Sequence, residues 1–217
     1  MSRLLVVRGR LLWAAAALWA SHATAGRPLS VDDANVNERG AGHLETWYAR
    51  ALGGGRVWTV APAYAPWDGV ELSGAWARDV RSAISTTSVQ AKFRLSESRP
   101  NACHPGAVIG AAHVGDSRGN TRYANLLLTC NQTDGALHLN LGASRPPGGP
   151  TLPTFGLAYE QDLGAMTGHV EVLGQRQSKP TVGLGLRKEV VKDVQIDGSL
   201  GRSNRETLFS LGFKLQF

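Results

Sequence analysis

Thr207-Leu-Phe-Ser-Leu-Gly-Phe-Lys-Leu-Gln-Phe217, at the end of the chain, alternates two kinds of side chain. Phe209, Leu211, Phe213, Leu215 and Phe217 fall on one parity, and Ser210, Gly212, Lys214 and Gln216 on the other. Successive side chains of a β-strand point to opposite faces, so this stretch reads as a strand with one apolar and one polar environment. The same period recurs upstream. Val182, Leu184 and Leu186 alternate with Gly183, Gly185 and Arg187; Leu137, Leu139 and Leu141 with His138, Asn140 and Gly142; Phe155, Leu157 and Tyr159 with Gly156, Ala158 and Glu160; Val89, Ala91 and Phe93 with Gln90, Lys92 and Arg94.

With turns read from clusters of Gly, Pro, Asn and Asp, the pattern divides into about twelve strands of the roughly ten-residue length that suits a membrane-crossing barrel. They fall near 42–51, 55–65, 69–79, 84–96, 105–114, 121–130, 135–144, 152–161, 166–175, 180–189, 193–201 and 206–217. The expected fold is therefore all-β, a transmembrane antiparallel up-and-down barrel of about twelve strands over 42–217. A soluble secreted β-protein would alternate equally well, but with its apolar face inward. The polar parity, repeatedly Gly, Ser, Gln, Lys, Arg and Glu, favours a wet lumen. Trp47, Tyr48, Trp58, Tyr64, Trp67, Trp76 and Phe217 lie near strand ends, where membrane barrels carry aromatic girdles.

The beginning of the chain sets the compartment. Arg3, Arg8 and Arg10 precede the apolar run Leu11 to Ala20, and Ala23-Thr24-Ala25 closes it, the three parts of a secretory signal peptide over 1–25. The run is shorter than the about 20 residues a membrane-crossing helix needs. Three of the excess positive charges belong to this leader, so the net charge of +6 falls to about +3 in the exported part. No basic cluster with interleaved aromatics is left to suggest nucleic acid. Residues 26–41 read as a periplasmic segment before the barrel. An even strand count puts both termini on the periplasmic side of a Gram-negative outer membrane, with short Arg-bearing turns facing out.

Export also puts Cys103 and Cys130 where a disulfide persists. The turn 115–120 lies roughly midway between them, so a hairpin brings them opposite one another and a bridge is expected. With only His104 adjacent they do not make a metal site. Gly115-Asp-Ser-Arg-Gly119 matches the nucleophile pattern G-x-S-x-G, but an alternating strand follows it where a hydrolase needs a helix, so it reads as a hairpin turn with no catalytic residue. The polar parity is the candidate site: Glu45, Glu71, Lys92, Arg94, His138, Glu160, Glu171, Arg187, Asp197 and Lys214 are expected to line the lumen, with both signs of charge present. No cofactor is expected.

Two stretches carry a resemblance. Arg27-Pro-Leu-Ser-Val-Asp-Asp-Ala34 followed by Gly42-His-Leu-Glu-Thr-Trp47 resembles the opening of proteobacterial outer-membrane proteins of the meta-pathway phenol-degradation transporter type. The strand ending in Phe217 resembles the C-terminal signal by which outer-membrane barrels meet their insertion machinery. The resemblance implies a barrel in outer-membrane lipid and a transport role, with no catalytic residues. The expected function is a channel or transporter for an unidentified small solute, a hydrophobic or aromatic one being a candidate. A non-transporting structural or interaction barrel and an outer-membrane hydrolase are the alternatives.

Overall fold

The computed structural model describes residues 28–217; the expected signal peptide lies outside the described residues. Twelve strands form one sheet: β1 Gly42–Arg50, β2 Arg56–Trp67, β3 Val70–Asp79, β4 Ser85–Arg94, β5 Cys103–Val114, β6 Asn120–Gln132, β7 Gly135–Arg145, β8 Leu152–Asp162, β9 Thr167–Gln175, β10 Thr181–Val191, β11 Val194–Ser203 and β12 Glu206–Gln216. Every strand pairs antiparallel with its sequence neighbours, and β1 pairs with β12, so the sheet closes on itself. The seam is registered from His43 opposite Gln216 to Arg50 opposite Phe209. It ends in a reciprocal pair in which Gly42 N–H donates to Phe217 C=O at 2.7 Å and Phe217 N–H to Gly42 C=O at 2.9 Å. The start of β1 and the end of β12 thus share one rim, called here the terminal rim; the turn joining β1 to β2, with its single 3-10 turn Leu52–Gly54, lies on the far rim.

Closure decides which parity faces which solvent. Leu72, Val89, Ile109, Leu126, Leu141, Val170, Leu184 and Leu211 are among the exposed large apolar residues, while Glu45, Glu71, Lys92, His138, Glu171 and Asp197 are buried. This inverts a soluble protein, and a closed ladder with an apolar exterior is the form in which strands cross a bilayer without unpaired backbone groups. Trp67 and Phe217 stand exposed at the terminal rim, Trp58 and Trp76 toward the far rim. Trp47 departs from the girdle expectation. It shares the parity of Glu45 and Ala49, so it is buried on the lumen side.

The half of the interior nearer the terminal rim is filled by the chain itself, and a cavity remains beyond it among Trp47, Thr59, Ser88 and Ser210. Residues 28–41, the described part of the segment 26–41 that the sequence sets before the barrel, pass from the terminal rim into the barrel. Leu29 and Val31 pack with Ala158 and Leu173, and Ala34 packs with Val108, Tyr123 and Leu127. The wall makes room for them with glycines. A Cβ on Gly156 would sit 3.0 Å from a Val31 methyl, and one on Gly106 would sit 3.0 Å from the Ala34 Cβ. Burying side chains the size of Val and Leu is worth on the order of 1.5–3 kcal/mol each, enough to hold an irregular segment that has no ladder of its own.

Cys103 and Cys130 are paired residues of the β5–β6 ladder and are joined by a disulfide. Refolded protein is expected to run as a compact, heat-modifiable band on unheated gels and to take up thiol reagent only after reduction. Removing the bridge, which spans a separation of 27 residues, is expected to cost about 3.5 kcal/mol by chain entropy. Free thiols in the folded, unreduced protein would contradict the pairing.

Candidate functional site: an occupied lumen

All ten lumen candidates lie on inward parities. Measured from the terminal rim, Glu45, Glu71, Lys92, Arg94, His138, Glu160, Arg187, Asp197 and Lys214 fall in the nearer half of their strands, and Glu171 lies midway along β9. The buried polar residues of the far half are uncharged, among them Thr59, Ser88, Thr121, Ser144, Gln175, Ser203 and Ser210. The lumen is therefore divided along its axis, with a charged half at the terminal rim and a hydroxyl- and amide-lined half beyond it. Neutral bonds knit the far wall: Ser144 Oγ donates to Gln175 Oε1 at 2.8 Å, and Ser199 and Ser210 share one hydrogen bond of 2.7 Å.

The charges of the near half are matched across the wall. Glu45 and Lys214 are opposite each other on the β1–β12 seam and approach to 3.6 Å. Glu160 accepts both Arg187 guanidinium nitrogens, the Nη2 bond measuring 3.1 Å. Glu160 also accepts from His138 Nε2 at 3.3 Å, and His138 Nδ1 lies 3.0 Å from Thr129 Oγ1. Thr129 Oγ1 also accepts the Ala34 N–H at 2.8 Å, so this hydroxyl joins the segment to His138, whose Nε2 faces the Glu160 carboxylate. One relay thus runs from the inserted segment through β6, β7 and β8 to β10.

The segment is held mainly by its backbone. Ser30 and Val31 N–H both donate to one oxygen of Glu171, at 2.8 and 3.0 Å. Asp32 N–H donates to Asn140 Oδ1 and Asp32 C=O accepts from Asn140 Nδ2, each at 2.7 Å, so the Asn140 amide grips one residue as a neighbouring strand would. Asn37 N–H donates to Glu71 at 3.0 Å. Side chains of the segment add hydrogen bonds, Asn37 Nδ2 to His43 Nδ1 at 2.9 Å and His104 Nε2 with Asn35 Oδ1 at 3.0 Å.

The buried Lys92 ammonium faces two carboxylates of the segment, Asp32 at 3.9 Å and Asp33 at 3.8 Å. They respond differently. Burial, offset only partly by Lys92, pushes Asp32 up to about 6. Burial also opposes ionisation of Asp33, but Lys92, His138 and the Asn35 N–H outweigh it and hold that carboxyl below its ordinary value.

Ser117 lies in the β5–β6 turn, where its hydroxyl donates to the Gly119 carbonyl at 3.0 Å. The nearby His113 ring is engaged with Gly119 C=O and Asn120 Oδ1, not with Ser117. Among the described residues no group of three or more His, Cys, Asp or Glu is arranged to hold a metal ion. The sequence reading names charged residues of the polar parity but not Thr129, Asn140 or the segment they grip. The signal was a run mixing Leu29, Val31 and Ala34 with Asp32 and Asp33 ahead of a first strand whose polar face already looked complete.

No protein-family model matches the chain, and no curated protein matches it significantly, so the resemblance to the phenol-degradation transporters rests on its two stretches alone. Solved structures are similar to it. A KdgM porin superposes with a TM-score of 0.70 at 14% identity, covering 81% of this chain and 99% of that one. A KdgM porin in complex with disordered oligogalacturonate gives 0.68 at 14% identity, covering 82% and 99%. The likeness is one of fold: this chain is built as a twelve-stranded, porin-type barrel.

Gly156→Val is expected to press on Val31 and Asn140 and drive the segment from the wall, exposing Asp32 and Asp33 to a protease that cuts at acidic residues while the strands stay protected. A segment still protected in that variant would contradict the packing.

Proposed function

We propose that the protein is an outer-membrane channel for small solutes whose path is closed by residues 28–37. In this reading the leader 1–25 directs export, both termini face the periplasm, and the charged half of the lumen opens there. The observation that carries it is the manner of occupation. The main-chain N–H groups of Ser30, Val31, Asp32, Ala34 and Asn37 all donate to polar side chains of the wall, which water or a solute could satisfy instead. The described segment is joined to β1 through Glu38, Arg39 and Gly40, which are exposed, and the Gly40 N–H donates to the Ala65 C=O at 2.8 Å.

The fold neighbours support a pore-forming architecture, and the solute of the oligogalacturonate complex is a negatively charged one. The wall here is close to balanced, with Glu45, Glu71, Glu160, Glu171 and Asp197 against Lys92, Arg94, Arg187 and Lys214. That balance suits solutes of mixed or local charge, a carboxylate beside Lys92 among them, over a polyanion charged along its whole length. A sealed, non-transporting barrel is the second reading, favoured by the relay from Thr129 to Arg187, which ties four strands and the segment together.

Planar-bilayer recording separates the two. The exported chain is expected to be silent or to flicker, and a variant lacking residues 28–37 to conduct steadily with at least about tenfold higher mean current. If the variant and the parent are equally closed, the barrel is sealed and the channel reading is wrong.

A further inference from the structure

The wall of the lumen reads a peptide backbone. Asn140 offers one acceptor and one donor to the N–H and C=O of a single residue, both at 2.7 Å. Glu171 collects the two preceding N–H groups, Thr129 the N–H two residues beyond, and Glu71 one three residues further on. These five donors come from an amide main chain at fixed spacing. A polyol or sugar acid presents hydroxyls with no such register, and the amide clamp of Asn140 has no matching N–H and C=O pair on it.

Side chains add selection. Lys92, buried in the wall, lies within 4 Å of both Asp32 and Asp33. Lys92 already stands opposite Glu71 on the β3–β4 ladder, and an occupant's carboxylate gives this buried ammonium further matching charge that an uncharged occupant does not. Gly156 beneath Val31 and Gly106 beneath Ala34 leave room for small and medium side chains only. The groups doing this are themselves nine-tenths or more buried: Glu71, Lys92, Thr129, Asn140 and Glu171. A chance lodging of a loose terminus would not be expected to find five main-chain partners and a buried countercharge together.

We infer that the lumen is a binding site for short acidic peptides, and that residues 30–37 are its resident occupant. The inference rests on the segment being removable from the lumen, as in the channel reading above. Once it leaves, Lys92, Asn140, Thr129, Glu71 and Glu171 are presented to any peptide that carries a carboxylate at the Asp32 or Asp33 position and an N–H at the others. Proline at the positions of Ser30, Val31, Asp32, Ala34 or Asn37 is excluded, because it has no proton to donate.

The test folds the full barrel first. A protease recognition sequence inserted between Arg39 and Gly40, both exposed, allows the segment to be cut loose from the assembled protein. A fluorescent peptide of residues 28–38 is then added and its binding followed by anisotropy. It is expected to exchange into the cut barrel and to be displaced by unlabelled peptide. The peptide carrying Asp32→Asn and Asp33→Asn should compete at least tenfold more weakly, and acetyl-Val-Asp-Asp-amide should compete where acetyl-Val-Asn-Asn-amide does not. In a Lys92→Met barrel the difference between Asp and Asn peptides should vanish. Equal competition by Asp and Asn peptides overturns the inference, as does a cut segment that never exchanges. Conductance of the same cut barrel is read separately. Acid-dependent exchange without conductance keeps the peptide site and sinks the channel; conductance without acid-dependent exchange does the reverse.

Discussion

A sheet that lies in lipid has no water to satisfy an open edge, and each unpaired N–H or C=O there costs several kcal/mol. The β1–β12 ladder, ending in the reciprocal Gly42–Phe217 pair, removes that edge, and the rest of the structure follows from it. Closure fixes the parity of every strand at once. Leu211 and its kind go to the lipid, and Lys214, Ser210 and their kind go inward. The seam is also guarded from inside by Glu45 and Lys214, directly opposite each other.

A closed barrel of twelve strands leaves more interior than small side chains can fill, yet less than the wide aqueous channel of 16 to 18 strands. Here the interior is divided: charge near the terminal rim, hydroxyls and amides beyond. The chain's own residues 28–41 supply the missing volume in the charged half and complete its hydrogen bonds. Apolar residues of the segment hold it against Ala158, Leu173, Val108 and Leu127, while its backbone serves Glu171, Asn140, Thr129 and Glu71. Grip by apolar packing resists loss of the segment; grip by exchangeable polar bonds permits its replacement. The functional reading depends on that combination.

The barrel was legible because its signal is local. A period of two over ten residues is present in each strand by itself, and strand limits such as 135–144 and 152–161 fall within a residue or two of β7 and β8. The disulfide was legible for the same reason, since a hairpin about one turn decides the register of Cys103 and Cys130. The segment was not, because it has no period and its partners are remote: Ser30 finds Glu171 across 141 residues, and Asp32 finds Asn140 across 108. Parity placed Glu160 and Arg187 on the inner face, but their meeting depends on strands β8 and β10, separated by β9, and no local pattern encodes it. Gly106 and Gly156 lie within β5 and β8. Their purpose appears only when Ala34 and Val31 are seen above them.

Everything functional here turns on the segment lying inside the lumen with its amides bonded to the wall. Amide hydrogen exchange of the refolded barrel, read residue by residue over 28–41, tests this most directly. Ser30, Val31, Asp32 and Ala34 should exchange orders of magnitude more slowly than the same residues in a free peptide, with exposed Glu38 and Arg39 exchanging fast. Free-peptide rates throughout residues 28–37, in a barrel whose strands are fully protected, would contradict it.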